Sequence, residues 1–157
     1  MKIPRVYVDS SVLGGCLDRE FATWSNRLLT DFQRGRLIPV VSEVVAAEMA
    51  DAPLEVQTIY AALIAEHPDV LPVDEEALAL AEYYQQRSIL TPKFYNDRLH
   101  IAIATLANVD ILVSWNFRHI VHFDKIRLFN AVNLEHGYKP PQIFSPREVV
   151  SYDENES

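Results

Sequence analysis

The chain has 157 residues, of which 14 are Lys or Arg and 22 Asp or Glu, giving a formal net charge of −8. With 49% hydrophobic and 23% charged residues, it has the balance of one soluble globular domain, long enough to bury roughly 70% of its unfolded surface without a disulfide or metal staple. Cys16 is the only cysteine, which excludes an internal disulfide, a CxxC redox pair and a Cys-based zinc site and points to a reducing, cytoplasmic setting. The acidic balance argues against plain electrostatic adhesion to nucleic acid or an anionic membrane, though not against an enzyme whose metal ions supply positive charge.

The opening residues reach Asp9 before a signal-type apolar core can form, and no apolar run approaches the roughly 18 residues of a membrane-spanning helix. Val6-Tyr7-Val8 reads as a short buried strand ended by Asp9, Ser10 and Ser11. Phe21, Trp24, Leu28 and Phe32 have helical spacing, and Gly35 stands where a helix end favours positive φ. Residues 37–41 form a second strand, which Pro39 weakens or moves toward a sheet edge because it has no N–H for the ladder. Ser42 caps a helix to about Ala50; Pro53 opens another with Val56, Ile59, Tyr60 and Leu63 on one stripe.

Residues 70–73 form a third strand, and Asp74 caps a helix to about Arg87. Asn96 is expected to cap the next, roughly 97–107, which is apolar almost all round and belongs in the core. Asp110 to Ser114 is the clearest strand, its unbroken apolar run suiting a parallel sheet covered on both faces. A helix near 125–135 stops at Gly137, Ile143-Phe144 makes a last strand, and Ser145-Pro146-Arg147-Glu148 spells a capping box. Alternating strands and helices imply an α/β class: a three-layer α/β/α sandwich around a short, mostly parallel sheet. It should form a single domain over 1–150, with 151–157 a disordered acidic tail.

Parallel sheets place function at the carboxyl ends of their strands. Asp9 lies there, although a turn acid capping the next segment explains it equally well. Glu48 shares a helix face with Val41, Val44 and Val45, where an ionised group needs a cation, a metal or a position at the rim of the stripe. Asp97 opens the apolar helix, where the helix dipole alone also welcomes an acid. Asn116 follows the clearest strand and is either a turn residue or a neutral oxygen ligand. Together these residues make an all-oxygen set suited to Mg²⁺ or Mn²⁺ and to metal-assisted phosphodiester hydrolysis. His100, His119 and His122 suggest a transition-metal cluster, but for His100 a core or rim role fits the spacing better.

The stretches Val6 to Leu13, Ser42 to Glu48, Asn96 to Ala104 and Ile111 to Asn116 resemble, in order and spacing, the four motifs of the PIN domain, and in particular those of VapC-type ribonuclease toxins of toxin–antitoxin systems. The resemblance runs from Tyr7 to about Val150. It implies metal-binding acids at Asp9, Glu48 and Asp97, a more variable fourth site at Asn116, a neighbouring polar position at His119 and a supporting hydroxyl at Ser11. It also implies one or two Mg²⁺ or Mn²⁺ ions, an RNA substrate, an antitoxin partner and a homodimer. Many members have Asp where this chain has Asn116, one negative charge fewer. Lys93, Arg98 and Arg118 flank these positions and are candidates for contacting the RNA backbone, or are plain solvated charges. The aromatics Phe21, Trp24, Tyr83 and Tyr84 are either partner surface or core.

Two other readings stay open. One is an aspartyl phosphotransferase, although a haloacid-dehalogenase-like enzyme needs a second Asp where Ser11 stands, and a response regulator an acidic pair before the first strand. The other is a PIN-like scaffold that binds RNA or protein and turns over poorly.

Overall fold

The structure, a computed structural model, describes residues 2–152. Five strands form one parallel sheet: β1 (Arg5–Val8), β2 (Ile38–Ser42), β3 (Asp69–Leu71), β4 (Ile111–Val113) and β5 (Gln142–Phe144), in the order β3-β2-β1-β4-β5. Val6, Tyr7 and Val8 point alternately to opposite faces and all are fully buried, so β1 is covered on both sides. The helices are α1 (Ser10–Gly15), α2 (Ala22–Gln33), α3 (Glu43–Ala50), α4 (Leu54–Ile64), α5 (Glu75–Gln86), α6 (Tyr95–Leu106), α7 (Phe123–Glu135) and α8 (Pro146–Val149). One group packs as α6 on α5 and α5 on α7, another as α2 on α1 and α8. The architecture is the expected α/β/α sandwich.

Local chemistry accounts for most element ends. The Ser42 hydroxyl accepts from Val45 N at the start of α3, and Asp74 from Ala77 N at 2.9 Å at the start of α5. Gly35 and Gly137 take φ of +73° and +80° beyond α2 and α7. The capping box at α8 is formed, with Glu148 accepting from Ser145 N at 2.7 Å. α6 is buried continuously from Arg98 to Thr105, as an all-round apolar pattern requires.

Several expectations need correction. Pro39 is not at an edge, since β2 lies between β1 and β3. Ile38 N faces β1, donating to Pro4 O, so the adjacent Pro39 faces the β3 side. The pairing with β3 begins only at Val40, and the missing N–H interrupts no ladder bond. Asn96 is not a cap: α6 starts one residue earlier, running on from a 3₁₀ turn at Pro92–Phe94. The segment after β1 is a helix, and Asp9 caps it, one of the two roles expected of it, accepting from Val12 N at 3.3 Å.

Of the aromatics offered as partner surface, Tyr84 is fully buried and Phe21 stacks on Trp115 with ring centroids 4.2 Å apart. Ser151 and Tyr152, expected in the tail, are held instead: Ser151 N and Oγ donate to Asp31 at 2.9 and 2.6 Å, and Tyr152 lies against Trp24. The remainder of the expected tail, 153–157, lies outside the described residues. No helix among the described residues is long and apolar enough to cross a membrane.

Candidate active site

The strand order reverses direction between β1 and β4: from β1 the chain builds outward through β2 and β3, then returns to place β4 on the other side. The carboxyl ends of such a strand pair open onto a crevice. Asp9 follows β1 directly and Ser114, Trp115 and Asn116 follow β4, joined by Asp9 N donating to Val113 O at 3.4 Å.

Asp9 is buried at the floor of the crevice. Ser11 Oγ donates to its Oδ1 at 2.6 Å and Ser114 Oγ to its Oδ2 at 2.5 Å. Each hydroxyl is oriented by a backbone donor, Trp115 N to Ser11 Oγ and Asn116 N to Ser114 Oγ, both at 2.9 Å. The two serines therefore present protons to the carboxylate. Burial nevertheless raises the Asp9 pKa above the usual carboxylate range, against the lowering influence of the His100 charge and of these hydrogen bonds.

Glu48 reaches the crevice from α3, half-buried. Its Oε1 accepts from Ser10 Oγ at 2.8 Å and lies 2.7 Å from His100 Nε2. Burial pulls its pKa up, but the hydrogen bond and charge of His100, with Ser10 and Asn96, outweigh that and hold it below the ordinary value of 4.5. His100 sits behind it, buried, with Nδ1 2.7 Å from the Tyr7 hydroxyl, which in turn lies 2.7 Å from Ser42 Oγ. Desolvation opposes protonation of His100, yet the Glu48 hydrogen bond and the charges of Asp9, Glu48 and Asp97 raise its pKa above 6.5. One imidazole thus feels all three acids.

Asp97 enters from the first turn of α6, with Oδ2 2.8 Å from His119 Nδ1 and accepting from Asn116 Nδ2 at 3.4 Å. The Asn116 oxygen accepts from His119 N at 2.9 Å and Arg118 N at 3.2 Å, closing the turn after β4. Asp9, Ser11, Asn116, Asp97 and His119 therefore share one hydrogen-bonded network through Ser114, while Glu48 belongs to a second, through Ser10, His100, Tyr7 and Ser42.

The other candidates separate. Lys93 and Arg118 are exposed nearby. Arg98 is not available to a phosphate: it is fully buried, and its guanidinium donates to the carbonyls of Ile89, Leu90, Thr91 and Pro92. It directly follows Asp97, but the next helical position points into the core. His122 is exposed and caps α7 without a side-chain bond.

Ser10 and Tyr7 were missed from the sequence, and His100, expected in a core or rim role, is buried and bonded to Glu48. For His100 the signal was present: it lies three residues after Asp97, on the same helix face. Among the described residues, no three His, Cys, Asp or Glu are gathered in a metal-holding geometry, each carboxylate being turned onto a protein donor. The donor set itself, three carboxylates on three separate elements, has the chemistry that hard divalent cations take.

Comparison with solved structures bears on the fold. The chain is similar to the VapBC2 complex of Rickettsia felis bound to a DNA fragment from its promoter, with 10% identity, a TM-score of 0.56, and 90% of this chain and 98% of that chain covered. It is also similar to FitAcB from Neisseria gonorrhoeae, with 14% identity, a TM-score of 0.57 and the same coverage of 90% and 98%. FitAB bound to an IR36 DNA fragment aligns at 14% identity and a TM-score of 0.58 over 96% of this chain and 99% of that one. No family model and no curated protein sequence matches.

Proposed function

We propose that the chain is a metal-dependent endoribonuclease and the toxin of a toxin–antitoxin pair, with Asp9, Glu48 and Asp97 as its catalytic and metal-binding residues and Asn116 at the variable fourth position. The observation that carries this reading is geometric: at the switch point of the sheet Asp9, after β1, is bonded to Ser114 after β4, Asp97 is bonded to Asn116 in the same turn, and Glu48 is bonded to Ser10, the residue next to Asp9. Drawing the three carboxylates together would set like charges against one another, a cost that a divalent cation offsets. The fold likeness to VapBC and FitAB complexes supports the toxin reading and an antitoxin partner; the homodimer rests on the motif resemblance alone.

Mg²⁺ or Mn²⁺, when bound, supplies Lewis acidity that activates water and offsets charge on the phosphate oxygens. The chain's own residues prepare for it. Ser11 and Ser114 fix both oxygens of Asp9, so that carboxylate is aimed before any ligand arrives. His100 and Ser10 fix Glu48, and His119 with Asn116 fixes Asp97. Because Asn116 directs its oxygen to backbone N–H groups and its amide to Asp97, it orients Asp97 more readily than it adds a fourth ligand. Lys93 and Arg118, both exposed, are the side chains proposed to contact an RNA backbone.

Purified protein should cleave single-stranded RNA with Mg²⁺ or Mn²⁺ and not with EDTA. Asp9→Asn and Asp97→Asn should each lower the rate by at least a hundredfold; cleavage surviving either substitution would sink these assignments. Expression without its antitoxin should arrest growth, and Asp97→Asn should relieve the arrest.

A further inference from the structure

Beside the acids lies a cleft of about 190 Å³ lined by Leu90, Thr91, Phe94, Arg118, His119 and Lys125. It is smaller than the roughly 300–1,000 Å³ that takes a drug-sized ligand, so it suits a single ring system. His119 belongs to both places: it lines the cleft and holds Asp97 at 2.8 Å. The half-buried Phe94 ring is tilted on the His119 imidazole, centroids 4.0 Å apart. Any group in the cleft is therefore one side chain away from the proposed chemistry.

The wall of this cleft is built at a cost. Between α5 and α6, Ser88 and Leu90 take φ of +58° and +67°, a region costly for any residue with a Cβ and especially for one as bulky as Leu. Arg98 overrides that cost by donating to four consecutive carbonyls, Ile89 to Pro92, from a fully buried position. A buried cation is spent on fixing one loop in one shape.

The charge at the mouth is also distinctive for an acidic chain. Arg118 and Lys125 line the cleft with no ion pair among the described residues, and the neighbouring acid Asp124 is paired with Arg127 instead. Lys93 lies 5.6 Å from the Phe94 ring centroid. An aromatic face with unpaired cations around it is how proteins hold an unstacked nucleotide: the ring takes the base, the cations the phosphates.

We infer that this cleft is a nucleoside subsite, which seats one unstacked base of single-stranded RNA against Phe94, with its flanking phosphates on Arg118 and Lys125. The inference rests on the ribonuclease reading for its substrate, but binding tests it separately from cleavage. The probe is a fluorescein-labelled single-stranded RNA oligonucleotide, titrated in EDTA against wild type, Phe94→Leu, Phe94→Tyr and Lys125→Gln, followed by cleavage kinetics with Mn²⁺.

Phe94→Leu keeps apolar bulk but loses the ring, and should weaken binding about tenfold, the loss expected for one base stack; Phe94→Tyr should restore it. Lys125→Gln should lower the salt dependence of binding by about one phosphate contact. In turnover the losses should fall on KM rather than kcat. Wild-type binding from both Phe94→Leu and Lys125→Gln, or no binding by wild type, would overturn the subsite. Binding that follows the expected pattern without cleavage by wild type would support the subsite and sink the nuclease.

Discussion

Asp9 carries a testable tension between stability and function. Its pKa is raised by burial, so the folded state holds the proton more tightly than the unfolded chain, and ionised Asp9 costs stability as pH rises above its ordinary 3.8. Asp9→Asn should therefore raise the melting temperature of the metal-free protein at pH 7 to 8, by about 2–4 °C for each kcal/mol recovered, with the gain shrinking toward pH 4. Calorimetry across that range checks it, and a lower melting temperature at pH 8 would contradict it.

The Glu48–His100 pair has the opposite profile. Glu48, lowered below 4.5, loses its contribution as pH falls through its folded pKa, and His100, raised above 6.5, loses its own as pH rises through its folded value. The pair supports the fold most strongly between those limits. His100→Gln should flatten that dome of stability and lower kcat, because Glu48 loses the imidazole that fixes it; a pH profile unchanged in the variant would show that the pair is decorative. His100 was half legible from its place beside Asp97. Tyr7 was not, since a tyrosine in an apolar strand reads as core and only the fold brings it 2.7 Å from both His100 and Ser42.

Elements were legible where one pattern dominated. α6 and β4 are long or unbroken apolar runs, and the caps at Ser42, Asp74 and Ser145 have local chemistry that tertiary contacts do not override. α1 was hidden because Gly14 and Gly15 depress helix propensity, yet Gly15 is required by packing. A Cβ there would lie 2.7 Å from both Ser25 Oγ and Trp115 Nε1, the two atoms of a buried hydrogen bond. Gly15→Ala should cost about 1–3 kcal/mol, read as a lowered melting temperature; since Trp115 N also orients Ser11, activity should fall with it. Arg98 was misread for a similar reason. Its neighbours in sequence suggested surface, whereas its destination is a loop wall that only the folded chain reveals.

For the whole molecule, the charge of −8 resolves into regions. Three acids belong to the crevice and three to the C-terminal residues 153–157, leaving the remainder nearly balanced against 14 bases. The acidity that first argued against nucleic acid is partly concentrated where a divalent cation would neutralise it, while Lys93, Arg118 and Lys125 lie beside it. The measurement that bears most directly on this arrangement is calorimetric titration of Mn²⁺ into the metal-free protein. If Asp9, Glu48 and Asp97 hold one cation between them, wild type binds Mn²⁺ saturably, the melting temperature rises with it, and Asp97→Asn loses both effects. Undiminished Mn²⁺ binding in Asp97→Asn, or none in wild type, would contradict it.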